Sequence, residues 1–140
     1  MIPPTSIRVI IVGCGHLGAQ LAECLDAAGY LVNVIAPAAE DFERLGPTFR
    51  GRTTLGDGTQ TATLEHAEIT GASVLVALTN DDNKNLLVCQ LAQDLYQTAH
   101  VLCGIQDPVL KEVFQSLGIT IISKLDIEIP RFLKGLPSTT

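Results

Sequence analysis

The sequence of 140 residues lacks any apolar run near the ~20 residues that a membrane-spanning helix needs, and its N-terminus lacks the basic-then-apolar pattern of a secretory signal. Basic residues are also few, since 9 Lys and Arg face 15 Asp and Glu for a formal net charge of −6. A surface that binds nucleic acid or anionic lipid needs clustered Lys and Arg, so we expect neither partner. These absences predict a cytoplasmic protein without direct membrane insertion.

Patterns for metal binding and catalysis are missing as well. The 4 cysteines form no C-x-x-C pair, and the 3 histidines show no metal-ligand spacing. We expect the cysteines to fill space in the core, and no metal site. There is no Ser-x-x-x-Lys or Tyr-x-x-x-Lys pattern, and a hydride-transfer enzyme this short would lack its substrate-binding half. The sequence therefore predicts a protein that is not an enzyme.

The glycines after the first apolar run carry the strongest local signal. Residues 7–12 form a β-like run that leads directly into Gly13, Gly15 and Gly18, spaced as G-x-G-x-x-G. The first glycine permits a tight turn, the second lets a pyrophosphate approach the backbone, and the third lets a helix pack close to the sheet. Backbone N–H groups and the helix dipole would then hold the phosphates.

The residues between these glycines are candidates for the same site. Cys14, His16 and Leu17 lie in the loop or at the start of the helix, so their side chains are expected to border the phosphates. His16 either donates a hydrogen bond to a phosphate or is an ordinary solvent-facing loop histidine. Cys14 is expected to fill space rather than to react.

Strand-like runs alternate with helical periodicity along the chain, and 46% hydrophobic content suffices for one core, so we expect a single domain over residues 1–140. This alternation predicts a parallel sheet with right-handed crossovers in the order 3-2-1-4-5-6. The predicted fold class is α/β, a Rossmann-like, doubly wound, six-stranded parallel sheet with helices on both faces. Strands are predicted at 7–12, 31–35, 51–55, 73–78, 100–103 and 119–122, and helices after Gly15, at 40–45, 61–67 and 82–96, and from Pro108.

The end of the second strand departs from the usual dinucleotide pattern. An Asp or Glu about 20 residues beyond the glycines usually binds the ribose hydroxyls, and Ala36 stands here. Three outcomes stay open: Glu40 or Asp41 reaches the ribose, the nucleotide is held without that contact, or binding is lost. The missing acid also suits a 2′-phosphate, for which Arg44 is the nearest basic residue downstream.

Polar residues follow the third and fourth strands. Asp57 and Gly58 lie where strand ends line the ligand crevice, so Asp57 is placed to accept from an adenine amino group; an ordinary Asp-Gly turn is the alternative. The polar stretch 79–85 opens a helix, and an N-cap at Thr79, Asn80 or Asp81 would alone explain it.

Three motifs occur together in order: Val-Gly-Cys-Gly-His-Leu-Gly, Leu-Gly-Asp-Gly-Thr and Ala-Leu-Thr-Asn-Asp-Asp-Asn-Lys-Asn-Leu-Leu. With them the chain resembles the RCK (KTN, TrkA N-terminal-type) domains that regulate potassium channels and transporters, from Ile7 to about Leu136. The resemblance implies a domain that binds NAD(H), ATP, ADP or AMP, forms a homodimer or higher homo-oligomer, and signals to a membrane pore. It also implies that the chain is a stand-alone subunit or a piece of a larger one.

Position by position, the resemblance implies roles for particular residues. Gly13, Gly15 and Gly18 would cradle the phosphates, Asp57 would lie near the adenine, and Thr79 with Asn85 would border the site. His16 stands where the family usually has Arg, and Ala36 replaces the ribose-binding acid, so the identity of the adenine nucleotide stays open.

The apolar segment 126–136 is expected either to fold back on the sheet or to pack on a second copy of the chain. The leading functional hypothesis is a nucleotide-sensing regulatory domain that gates potassium flux. The alternatives are the dinucleotide-binding domain of an NAD(P)-dependent oxidoreductase, and a Rossmann domain that has lost its ligand and serves only for dimerisation.

Overall fold

The sheet of this protein has six parallel strands in the order β3-β2-β1-β4-β5-β6, which confirms the predicted topology. The computed structural model describes residues 7–116 and 119–123. The apolar segment 126–136 lies outside the described residues. The strands are β1 (Arg8–Val12), β2 (Leu31–Ala36), β3 (Arg52–Leu55), β4 (Val74–Ala77), β5 (His100–Ile105) and β6 (Thr120–Ser123).

Helices connect these strands as expected, with differences in type. The predicted helix over 82–96 is α-helical in its first part and continues as a π-helical turn, Leu91–Leu95. The segment predicted at 40–45 is a 3-10 helix, Ala39–Arg44, and a second 3-10 turn spans Ile69–Gly71. Among the described residues, no helix combines the length and apolar character needed to cross a bilayer. The α-helices are α1 (His16–Ala27), α2 (Thr61–His66), α3 (Asp82–Gln90) and α4 (Pro108–Gln115).

The sheet separates two apolar clusters, one on each face. Side chains of α1, such as Leu21 and Leu25, pack on one face against alternate residues of the central strands. Leu64 of α2 and Val88 of α3 pack on the other. The central strands are therefore buried on both sides, which is why their sequences are continuous apolar runs rather than alternating ones.

The glycine loop lies where the strand order reverses. Val12, the last residue of β1, pairs with Ile35 of β2 on one side and with Ala77 of β4 on the other. Gly13 follows with a φ of 112°, a conformation that favours glycine, and its N–H donates to the Ile35 carbonyl at 2.8 Å. The loop between β1 and α1 is thus fixed at the crevice of the doubly wound sheet.

The approach of α1 to this loop depends on Gly18. A Cβ on Gly18 would lie 2.1 Å from the Gly13 carbonyl oxygen, whereas a Cβ on Gly15 would meet no atom within 4 Å. The third glycine of the motif therefore has the packing role that its spacing predicts, and the second leaves open space.

We expect Gly18→Ala to lower the free energy of unfolding by about 3 kcal/mol, because the methyl group must displace backbone. This loss should appear although alanine favours helix interiors over glycine by about 1 kcal/mol. Gly15→Ala, the matched control, should change stability by less than about 1 kcal/mol. Chemical denaturation measures both, and equal stability of the two variants would contradict the packing role.

Candidate functional site

A groove of about 310 Å³ opens at the carboxyl ends of the first four strands. It lies between the glycine loop after β1 and the loop after β4, at the switch point of the sheet. Ligands of open α/β sheets bind in this crevice. The residues that line it are Val12, Gly13, Cys14, Gly15, Ile35, Ala36, Pro37, Asp41, Arg44, Gly56, Asp57, Gly58, Leu78, Thr79, Asn80, Asp81 and Lys84.

The floor of the groove is built for an anion. Gly15 is the N-cap of α1, and within residues 7–116 and 119–123 no side chain caps this helix end or accepts from its first-turn N–H groups. Gly15 also lines the groove and leaves open space above its Cα. A phosphate can therefore approach the backbone closely and lie at the positive end of the helix dipole.

The β2 side of the groove contains an ion pair in place of the usual acid. Ala36 ends β2 and is only 1% exposed, although it contributes to the lining. Arg44, at the end of the 3-10 helix, donates from Nη1 to the Cys14 carbonyl at 3.3 Å and to Asp41 Oδ1 at 3.2 Å. Glu40, the other acid considered for the ribose, is exposed and does not line the groove.

Asp57 begins a tight turn that also borders the groove. Its Oδ1 accepts from the Thr59 N–H at 2.9 Å and from Thr59 Oγ1 at 2.7 Å, so the ordinary-turn alternative is realised at a groove position. The backbone hydrogen bond, followed by that from the hydroxyl, lowers the pKa of Asp57. The hydrogen bonds to the ionised Asp57 therefore stabilise the folded protein. Their contribution is present above the pKa of Asp57 in the unfolded chain, and it is lost as pH falls through the lower pKa of the folded state.

The loop after β4 is held from behind by Asn85. This side chain is fully buried: its Oδ1 accepts from the Thr79 N–H at 2.8 Å, and its Nδ2 donates to the Thr79 carbonyl at 3.1 Å and to the Gly104 carbonyl at 2.8 Å. Asp81 Oδ1 accepts from the Asn83 and Lys84 N–H groups and caps α3. Asn85 therefore positions Thr79, which lines the groove, and ties the loop to β5.

The sequence-predicted site residues divide into two groups. Gly13, Cys14, Gly15, Asp57, Gly58 and Thr79 line the groove. The others do not, for different reasons: His16 is exposed at the first position of α1, and Leu17 packs on the core. Gly18 contacts the glycine loop from the helix side, Asn85 lies behind Thr79, and Glu40 faces solvent.

Lys84 also lines the groove, although the sequence analysis assigns it no role. Its place in the helix is the sequence feature that points to the site. It lies in the first turn of α3, where a cation opposes the helix dipole. Lys84 and Arg44 thus flank the glycine loop from opposite sides of the groove.

The cysteines behave largely as core residues. Cys14 is 3% exposed, and burial is the main cause that raises the pKa of its thiol, so it is protonated at neutral pH. Cys89 and Cys103 are fully buried, and the hydrogen bond to Cys103 together with burial raises the pKa of Cys89. The expectation of core packing is confirmed for these three, while Cys24 is only half-buried.

A larger cavity, of about 540 Å³, lies at the other end of the strands, where β1, β2 and β3 begin. Two of its arginines share one carboxylate: Glu68 pairs with Arg8 at 2.8 Å and with Arg52 at 3.3 Å, and these groups are about half exposed. It has neither the glycine loop nor the start of α1. The groove at the carboxyl ends is therefore the better candidate for a nucleotide site.

A family model for the TrkA-N domain matches residues 9–124. This chain belongs to the TrkA-N domain family. The Trk system potassium uptake protein TrkA of Streptomyces coelicolor is 33% identical over 130 residues, which are 93% of this chain and 58% of that protein. A TrkA homologue of Pyrococcus horikoshii is 31% identical over 109 residues, 78% of this chain and 48% of that protein. The chain thus spans about half the length of these relatives.

Solved structures confirm the fold. The Kef CTD of Shewanella denitrificans in AMP-bound form superposes with a TM-score of 0.72 at 22% identity, covering 85% of this chain and 72% of that one. The GsuK channel bound to NAD gives 0.69 at 19% identity, covering 87% and 22%, and GsuK bound to ADP gives 0.68 at 20%, covering 86% and 32%. The resemblance to RCK domains inferred from the motifs is therefore confirmed for family and fold.

We expect Asn85→Leu to lower the free energy of unfolding by about 3 kcal/mol, because it removes the amide that bonds the Thr79 backbone and takes away the donor to the buried Gly104 carbonyl. Asn83→Leu, two residues earlier on the exposed side of the same helix, is the matched control and should change stability by less than about 0.5 kcal/mol. Denaturant unfolding followed by circular dichroism measures both. Similar values for the two variants would contradict the positioning role of Asn85.

Proposed function

We propose that this chain is a nucleotide-binding regulatory domain or subunit of a potassium channel or transporter. The observation that carries the proposal is the groove at the switch point, where an uncapped helix N-terminus and an open glycine backbone lie between Arg44 and Lys84. This arrangement suits a phosphate chain. Membership of the TrkA-N family supports potassium transport as the process it regulates.

The ligand that fits this groove is an adenine nucleotide, NAD(H) or AMP, ADP or ATP. The phosphates would lie over Gly13 and Gly15, with Asp57 near the adenine amino group. Related folds bound to AMP, NAD and ADP support this ligand class. The remaining candidates would act around the site and not line it, either through the start of α1 or through neighbouring residues. They are His16, Leu17, Gly18, Glu40 and Asn85.

Regulation would occur by population shift. The nucleotide bridges loops that follow different strands, and Asn85 links one of them to β5. A ligand that binds one arrangement of these loops more tightly shifts the equilibrium of a homodimer or higher homo-oligomer, and an attached membrane pore responds. The domain would act on the cytoplasmic face of the membrane and would not turn over its ligand.

We expect adenine nucleotides to raise the melting temperature of the chain in a concentration-dependent way, since a ligand that binds only the folded state stabilises it. Thermal unfolding with AMP, ADP, ATP, NAD, NADH and NADPH measures this. Stabilisation by none of them would contradict the proposal and favour a ligand-free dimerisation module. Steady hydride transfer by the isolated chain would instead favour the oxidoreductase.

The binding mode is tested with Gly15→Ala, which leaves folding nearly unchanged but places a methyl group where the phosphate approaches. We expect it to weaken nucleotide binding about tenfold or more. Gly71→Ala is the control: Gly71 ends the Ile69–Gly71 turn, and its added Cβ would meet its nearest atom at 3.7 Å. Unchanged affinity in Gly15→Ala, measured by calorimetry, would place the phosphates elsewhere.

A further inference from the structure

We propose that the groove prefers adenine nucleotides that carry a 2′-phosphate, as in NADP(H), and that Arg44 is the residue that selects them. This inference rests on the proposed nucleotide-binding function and specifies its ligand. It concerns the β2 side of the groove, where the ribose lies between the adenine and the phosphate chain in dinucleotide-binding sheets.

At the tip of β2, Ala36 stands in place of the usual carboxylate. An acid at this point binds the ribose hydroxyls and repels a phosphate on the same ribose. Ala36 ends the strand, and its carbonyl accepts a hydrogen bond from the Gly56 N–H at 2.9 Å. Pro37 follows and has no backbone N–H. The end of β2 therefore carries no negative charge that would repel a 2′-phosphate.

Arg44 lies beside the glycine loop. Its Nη1 reaches the carbonyl of Cys14, the residue between Gly13 and Gly15, so the guanidinium lies against the glycine loop on the β2 side. Both recorded hydrogen bonds of this side chain involve Nη1, and a guanidinium has further N–H donors on its other nitrogens. Arg is also suited to phosphate because it binds two oxygens at once.

Asp41 lines the same side of the groove and is itself a candidate for the ribose acid. Its Oδ1 accepts from Arg44 at 3.2 Å, with the side chains 33% and 49% exposed, respectively. An exposed pair of this kind is weak, so it does not fix Arg44 against a stronger anion. Asp41 is therefore an exchangeable partner of Arg44, and a 2′-phosphate can replace it.

The test compares AMP with adenosine 2′,5′-bisphosphate by titration calorimetry on the 140-residue chain. These probes differ only in the 2′-phosphate. We expect the bisphosphate to bind at least about tenfold more tightly, as a charge-assisted contact predicts. Arg44→Gln should remove this advantage, so that the two probes bind with affinities within about threefold of each other, and Arg52→Gln, beside the cavity at the amino ends of the strands, should preserve it.

Further variants separate the roles of the neighbouring residues. Ala36→Asp, with folding checked by circular dichroism, should reverse the preference toward AMP. Asp41→Asn should keep the preference for the bisphosphate. If Asp41→Asn instead weakens AMP binding about tenfold, Asp41 is the ribose acid and the inference is overturned.

The possible failures are distinguishable. Equal affinity for both probes in the unsubstituted chain, or tighter binding of AMP, overturns the 2′-phosphate inference and leaves the proposed function intact. Binding of neither probe overturns the inference, and it overturns the proposed function as well only when ADP, ATP, NAD and NADH also fail to bind. A bisphosphate preference that persists in Arg44→Gln overturns the assignment of Arg44.

Discussion

The close contact between the start of α1 and the loop that precedes it is the constraint on which the rest of this structure depends. Only glycine at position 18 leaves room for the Gly13 carbonyl, and only then does the helix point its N-terminus into the crevice between β1 and β4. Gly13 is fixed from the other side by its hydrogen bond to Ile35. The groove floor is therefore rigid backbone, as a phosphate site requires.

The other groove elements are positioned relative to this floor. Asn85 holds the Thr79 loop opposite it, and Arg44 reaches the carbonyl of Cys14 from the β2 side. Lys84 enters from the first turn of α3. The protein has a net charge of −6, yet the groove contains two basic residues, Arg44 and Lys84, that flank the N-terminus of α1. The lining also contains Asp41, Asp57 and Asp81, so the two cations make a local anion site at the helix N-terminus and not a positive surface, which suits a small anionic ligand better than a large anionic surface.

Sequence patterns predict the fold well because a buried parallel sheet leaves a direct signal. The apolar runs at β1 and β4 and the glycine spacing locate the switch point, and the six-strand order follows from handedness. The site is predicted less completely. Asn85 looks like an exposed polar residue of a helix start, and only the tertiary contact with Gly104 explains its burial. Arg44 lies beyond the strand tip on a 3-10 turn, whose direction local sequence does not specify.

The most direct test of the central claim is the change in backbone amide chemical shifts of the labelled chain as an adenine nucleotide is titrated. The account predicts the largest changes at Gly13, Gly15 and the first turn of α1, with smaller ones at Asp57 and Thr79. The amide chemical shifts of residues around the opposite cavity, such as Arg8 and Arg52, should not change. Changes concentrated at that cavity, or none at the glycine loop at saturating nucleotide, would contradict the account.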